Sequence, residues 1–228
     1  MPETAPALKE LKWDSDGLVT VVAQDRLTGE LRMVAHANRA ALAATLETGQ
    51  AHFYSRSRQT LWRKGESSGN TLAVAEVWAD CDGDAVLYLL DPNGPSCHTG
   101  RQNCFFRRLD LATPAAPDEA VAQPLLAALW TELAARRKAP DGTSYTQRLL
   151  AGGSDAIGAK LREEADELAR ALATESPARA AAEAADLLYH MLVGLLLRDV
   201  CPSDMLGVLQ ARRGVSGLAE KAARGTTK

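Results

Sequence analysis

Three of the four cysteines fall in two short segments, DCDGD (Asp80 to Asp84) and CHTGRQNC (Cys97 to Cys104). Cys81, Cys97 and Cys104 offer soft thiolates, while Asp80, Asp82 and Asp84 offer hard oxygens, and the two classes select different metals. Structural zinc usually takes four protein ligands, whereas catalytic zinc keeps one position for water. Three thiols therefore suggest an open zinc site and hydrolytic chemistry. In an extended segment the three acids would point to one face and Cys81 to the other, so zinc and magnesium could sit side by side. His98, next to Cys97, is a candidate proton shuttle, since an unperturbed imidazole titrates near neutrality. A plainer alternative stands beside each point. Asp82-Gly83 serves a turn, Cys97 and Cys104 are small buried hydrophobes, and His98 is satisfied in a polar core. The Cys97–Cys104 spacing is also not the two-residue gap of a zinc ribbon.

A second constellation is purely carboxylate. At 100° per residue, Lys160, Glu163, Glu164 and Glu167 share one narrow sector of a helix, with the apolar residues centred about a quarter-turn away. Glu183, Asp186 and His190 share a face of the next helix, most of whose remaining surface is Leu187, Leu188, Met191, Leu192 and Leu195. Like charges at this spacing cost about 0.2–0.5 kcal/mol per pair even in water, and burying them costs more. Mg²⁺ removes both penalties and characteristically also binds a substrate phosphate. The alternative is a solvated face of Glu–Lys and Glu–Arg pairs.

The elements that must position these residues divide into two periods. Leu18–Ala23 and Leu31–Ala35 read as a hairpin around Thr28-Gly29. Asn38 caps a helix, Arg39–Glu47, which Gly49 ends, and a strand follows at His52–Ser55. Leu72–Ala79 and Ala85–Leu90 flank Asp82-Gly83, a strong hairpin signal. Leu111 to Pro124 holds three prolines among alanines and reads as a linker. Beyond it Leu125, Leu126, Leu129, Trp130 and Leu133 recur at helical spacing, and Asp141-Gly142 ends that helix. A long helix follows over Asp155–Thr174, then Ser176-Pro177 start another that runs to about Val200. The chain is thus α+β: a β-rich domain over 1–110, a linker over 111–123, and an all-α domain over 124–228. Cys201, beside Pro202, reads as a buried structural residue.

Composition excludes several classes. Hydrophobic residues are 46% and charged residues 24%, ordinary for a globular protein. Up to Asp110 there are 12 Lys and Arg against 14 Asp and Glu, and 14 against 15 beyond it. Neither half carries the basic footprint of a nucleic-acid binder. The amino terminus shows no signal architecture, and the apolar run Leu187–Leu197 is too short to span a bilayer. A cytoplasmic location with reduced thiols and no membrane association is expected.

Two resemblances sharpen these readings. Glu163-Glu164-x-x-Glu167 followed by Glu183-x-x-Asp186 resembles the EExxE…ExxD signature of the all-α (MazG-like) nucleotide pyrophosphohydrolases. With Ser144-Tyr145-Thr146 and AADLLYHMLVGLL (Ala184 to Leu196), the second half is similar to phosphoribosyl-ATP pyrophosphohydrolase of histidine biosynthesis. Ala159 stands where that family often has a second lysine before the motif. Across residues 17 to 107, GLVTVVAQD, TGELRMVAHANRAAL, SRSRQTLWRKGESSGN, DCDGDAVL and GPSCHTGRQNCFFR resemble phosphoribosyl-AMP cyclohydrolase, with His36 where relatives commonly have Tyr.

The first resemblance implies Mg²⁺ held by Glu163, Glu164, Glu167, Glu183 and Asp186, with Lys160 on substrate and Glu164 at the reacting phosphate. The second implies Zn²⁺ on Cys81, Cys97 and Cys104, contributed across a dimer interface, Mg²⁺ on Asp80, Asp82 and Asp84, and His98 at the reacting centre. Arg56, Ser57, Arg58, Trp62, Arg63, Lys64, Ser68 and Asn70 would bind substrate, with glycines letting the backbone approach it. Together they imply a bifunctional, ATP-site-containing homodimer acting on phosphoribosyl-ATP and then phosphoribosyl-AMP. Two other classes stay open on the residues alone. One is a general nucleotide pyrophosphohydrolase fused to a regulatory zinc module, the other a non-enzymatic zinc-stabilised dimerisation protein with His98 as fourth ligand.

Overall fold

The computed structural model describes residues 6–107, 122–138 and 144–214. It divides into two compact units, Met1–Pro124 and Leu125–Lys228. The first is strand-rich and the second helical, an α+β chain. Residues 111–121 of the expected linker, and the Asp141-Gly142 break, lie outside the described residues.

The first unit opens with a helical turn, α1 (Pro6–Lys9), and then the antiparallel pair β1 (Val19–Asp25) and β2 (Leu31–Ala37). Asp25 builds the turn between them: its carboxylate accepts from Leu27 N at 2.9 Å and Thr28 N at 3.0 Å. Such a side-chain bond mimics a backbone turn. Helix α2 (Arg39–Thr48) starts where Asn38 Oδ1 accepts from Ala41 N at 2.9 Å and stops at left-handed Gly49 (φ 65°). Strands β3 (His52–Ser55) and β4 (Thr60–Arg63) pair antiparallel, as do β5 (Leu72–Ala79) and β6 (Ala85–Pro92).

The main sheet has the order β2-β1-β6-β5, and β1 and β6 run parallel. Strand β1 alternates buried and half-buried positions, so Val19, Val21 and Ala23 point into one core with Leu42, Phe53, Tyr88 and Leu90. Phe53 stacks on Tyr88 and tilts against Trp62, tying the β3–β4 hairpin to the sheet. Strand β4, inside the SRSRQTLWRKGESSGN stretch, is not among the expected strands, because four residues of TLWR alternate too briefly to announce one.

The second unit contains α3 (Leu125–Lys138), α4 (Tyr145–Ala151), α5 (Gly153–Thr174), α6 (Pro177–Leu197) and α7 (Pro202–Arg212). Only Glu175 and Ser176 separate α5 from α6, and Ser176 Oγ caps α6 by accepting from Arg179 N. Leu133, Leu149, Ile157, Leu192, Val193 and Leu196 form the core. Gly194 permits the close crossing, since a Cβ there would stand 3.3 Å from Ile157 Cγ2. Arg137 closes the carboxyl end of α6 by donating to Leu196 O at 2.7 Å and to Asp199 at 2.8 Å.

One expectation is corrected here. Cys201 is exposed, not buried: it is the cap residue before Pro202, and its N–H donates to Asp204 at 2.8 Å. Helix α6 as a whole, unlike its 187–197 end, is long and apolar enough to cross a bilayer by length and composition. It is also not buried all round, for Ala184, Ala185 and Leu188 are exposed, as is Leu172 on α5.

Candidate functional sites

In the strand-rich unit the hairpin β3–β4, the loop after it, and the segment after β6 converge on one cavity of about 680 Å³. Cys97, His98 and Cys104 line it with Arg58, Trp62, Arg63, Lys64, Ser68 and Asn70. Six of the eight residues expected to bind substrate thus meet two of the three expected zinc ligands. Arg56 and Ser57 line an adjoining cavity of about 420 Å³, together with His36, and share Arg58 and Trp62 with the first. Burial and the Arg56 guanidinium hold His36 below the ordinary imidazole range.

Local chemistry explains how this wall is built. Gly65 (φ 83°) takes a conformation that side chains rarely adopt, and a Cβ there would stand 2.6 Å from the Asn70 backbone. A Cβ on Gly94 would stand 2.7 Å from Asn70 Oδ1. The glycines therefore admit the chain itself, seating Asn70, where a bound ligand had been expected to make the approach. Buried Lys64 donates to Asn70 O at 3.4 Å, and burial lowers its pKa.

The two thiols of the cavity interact with each other and differ in ionisation. Burial opposes ionisation of Cys97, but Thr99 Oγ1 donates to its sulfur at 3.1 Å, and with the Thr99 and His98 N–H groups and the Cys104 thiol this lowers its pKa. Burial and the Cys97 charge instead push Cys104 up to about 11. Lys64 and Arg32 act in the opposite sense on Cys104. Two adjacent thiols, one of them favoured toward ionisation, are a donor pair suited to a soft cation. His98 is exposed, its Nδ1 3.9 Å from Cys97 Sγ.

Cys81 stands elsewhere, exposed in the β5–β6 turn. That segment is a tight bend centred on left-handed Gly83 (φ 80°), not the extended strand that alternation assumed. The bend itself gathers the acids: oxygens of Asp80, Asp82 and Asp84 lie within 4.8 Å of one another. The N–H groups of Ala85 and Gly83 hold Asp80 below the usual carboxylate range, while the charges of Asp82 and Asp80 raise Asp84. Three converging, mutually repelling carboxylates fit a hard divalent ion.

In the helical unit, Glu164 and Glu167 of α5 and Glu183 of α6 bring their oxygens within 4.8 Å of one another. Glu164 and Glu183 are buried, so a purely solvated acidic face does not describe them. Cations do accompany them. Lys160 Nζ lies 2.9 Å from Glu163 and 3.0 Å from Glu164, which raises its pKa, and Arg179 pairs with Glu183. Glu163 and Asp186 are exposed at the margin and outside the cluster of three.

Behind Glu164 sits buried His190, its Nδ1 3.6 Å from the carboxylate. Nδ1 donates to Asp186 O at 2.9 Å, so in the neutral ring Nε2 accepts from Tyr145 OH at 3.1 Å. Thr146 and Tyr189 hydroxyls add a 2.8 Å bond. Helix α4 is therefore stapled to α6 through the Tyr145-Thr146 pair, a short element whose period is too brief to read.

Comparison with known proteins divides the chain at the same place. The phosphoribosyl-AMP cyclohydrolase family matches residues 33–106, and the phosphoribosyl-ATP pyrophosphohydrolase family matches residues 126–213. The histidine biosynthesis bifunctional protein HisIE of Wolinella succinogenes is 42% identical, over 95% of this chain and 97% of its own. That of Deinococcus radiodurans is 44% identical, over 92% and 95%. The chloroplastic protein of Arabidopsis thaliana is 40% identical, over 94% of this chain and 79% of its own.

Proposed function

The chain belongs to the family of bifunctional histidine-biosynthesis hydrolases that join a phosphoribosyl-AMP cyclohydrolase to a phosphoribosyl-ATP pyrophosphohydrolase, and from that premise we propose how its residues divide the two reactions. The helical unit takes phosphoribosyl-ATP first and releases pyrophosphate, with Mg²⁺ held by Glu164, Glu167 and Glu183 and completed by Glu163 and Asp186. The strand-rich unit then opens the N1–C6 bond of phosphoribosyl-AMP to give the formimino carboxamide ribotide, with Zn²⁺ on Cys97, Cys104 and Cys81 and Mg²⁺ on Asp80, Asp82 and Asp84. When bound, such ions supply an acidified water and charge neutralisation for phosphate.

The chain's own groups do the rest. Lys160 is placed to meet phosphate while keeping Glu164 oriented, and His190 fixes Glu164 from behind. Arg58, Arg63 and Lys64 give the strand-rich cavity cations for the substrate's phosphates, and Trp62 offers a flat apolar face for a base. His98 moves the proton that ring opening displaces. A cytoplasmic homodimer completes the reading. Cys81 lies outside the cavity of its own chain, so a second copy supplies the third thiol, and reduced thiols suit that compartment.

The observation that carries the reading is the single cavity in which Cys97, Cys104 and His98 face Arg58, Arg63 and Lys64. Phosphoribosyl-ATP with Mg²⁺ and Zn²⁺ should give pyrophosphate and then the ultraviolet change of ring opening. Pyrophosphate release without ring opening, in zinc-supplied protein, rejects the assignment of the strand-rich site.

A further inference from the structure

Arg32 is an unusual core residue. Its side chain is 1% exposed, and it lies on β2, outside the lining of the cavity. All three guanidinium nitrogens are engaged. Nε donates to Ser96 Oγ at 3.0 Å, one terminal nitrogen to Glu30 Oε2 at 2.8 Å, and the other to Gly94 O at 3.0 Å. Glu30, itself buried, uses its second oxygen to accept from Asn103 Nδ2. Ser96 immediately precedes Cys97, and Asn103 immediately precedes Cys104. The Arg32 backbone adds a third tie, its carbonyl accepting from Cys104 N at 3.0 Å.

A buried ion pair of this kind is poor evidence for stability, because well-packed apolar residues of similar volume often do as well or better. What it does supply is a fixed geometry, and both of its ends reach the same loop. We infer that Arg32, with Glu30, is the positioning residue of the thiol pair, holding the 96–104 loop at both ends so that Cys97 and Cys104 meet at one point of the cavity. The inference rests on the zinc reading for its consequence, but the geometry it describes exists in the metal-free chain. Outer-shell partners that orient ligands typically cost about 10–100-fold in metal affinity when lost.

The test uses the full-length protein and three substitution sets: Arg32→Lys, Arg32→Met, and Arg32→Met combined with Glu30→Gln. The last leaves no unpaired buried charge, so folding is retained even where Arg32→Met alone fails. Zinc affinity is measured by competition with a chromophoric chelator, thiolate ligation by the charge-transfer band of the Co²⁺ form, and folding by the unfolding midpoint. In metal-free protein, capture by phenylarsine oxide, which needs two adjacent thiols, reports the spacing of the pair.

We expect Arg32→Lys and the double variant to keep their fold yet bind zinc at least about tenfold more weakly, with a weaker Co²⁺ band and slower arsenical capture. Lysine keeps the charge but not the three-way fork, so its failure to rescue separates positioning from charge. Unchanged zinc affinity in folded variants overturns the inference. If the unaltered protein binds no zinc, the zinc reading fails by itself. Arsenical capture then decides the positioning role: lost capture in the variants upholds it, and equal capture overturns it.

Discussion

Tyr88 shows how one buried residue gives the strand-rich unit a pH dependence that has nothing to do with its chemistry. Its ring is fully buried between Phe53 and the helix α2 side, and its hydroxyl donates to Thr45 Oγ1 at 3.3 Å. Burial raises its pKa to about 12 from an ordinary 10. The folded state therefore holds the proton more tightly than the unfolded one. That contribution is fully present below pH 10 and is lost as pH rises from 10 to 12, by roughly 3 kcal/mol in all. Urea unfolding of the unaltered protein and Tyr88→Phe at pH 9 and pH 11.5 should show the smaller loss in the variant. Parallel losses would contradict it. In the helical unit, Glu164→Gln should keep the fold and lower pyrophosphate release by at least about a hundredfold, the usual scale for losing a group that acts on the reacting atoms. Retention of more than a tenth of the activity removes Glu164 from the reacting centre.

Elements act here chiefly by bringing short ligand segments to the ends of rigid neighbours. The β3–β4 hairpin is anchored by Phe53 and Trp62 in the core, and its continuation folds back at Gly65 to seat Asn70 in the cavity wall. Gly65→Ala should destabilise the unit by about 1–3 kcal/mol, since alanine is strained at this φ, and should raise the KM of ring opening as Asn70 shifts. Urea titration and steady-state kinetics check both, and an unchanged KM would detach Asn70 from substrate. On α6, the Ser176 cap is the only residue between Glu175 and the helix that presents Glu183. Ser176→Ala should cost about 1 kcal/mol of stability in the helical unit, read from its urea midpoint, with pyrophosphate release falling less than tenfold.

At the scale of the molecule, two units with separate cores carry separate clusters of candidate donors. Cys97→Ala should abolish ring opening alone, and Glu164→Ala pyrophosphate release alone, in assays of each half-reaction. Loss of both in a folded single variant would contradict independent sites. The position of Cys81 outside its own chain's cavity yields a sharper test. Cys81→Ala and Cys97→Ala proteins, each inactive in ring opening, should regain about a quarter of full activity when mixed as subunits, because half the dimers are hybrids with one intact site. Absence of recovery after verified subunit exchange would confine the site to one chain.

Much of this was legible in the chain because its signals are local. The Asn38 and Ser176 caps, the left-handed Gly49 and Gly83, and the change from strand to helix period all act within a few residues, and each set an element where the structure has it. The candidate donors were legible too, since thiols and carboxylates declare their chemistry by type. What no window contains is which distant segments meet. The parallel pairing of β1 with β6 joins strands some sixty residues apart, and the Arg32–Glu30 pair joins β2 to the loop that carries two thiols. Cys201 reads as buried and stands exposed for the same reason: burial is a property of what packs against a residue, not of the residue. The sequence by itself determined the donors, the turns and the helix faces. Only the tertiary structure decided that Cys97 and Cys104 share a cavity with Lys64 while Cys81 does not, because loop closure over long separations is governed by core packing rather than by local propensity.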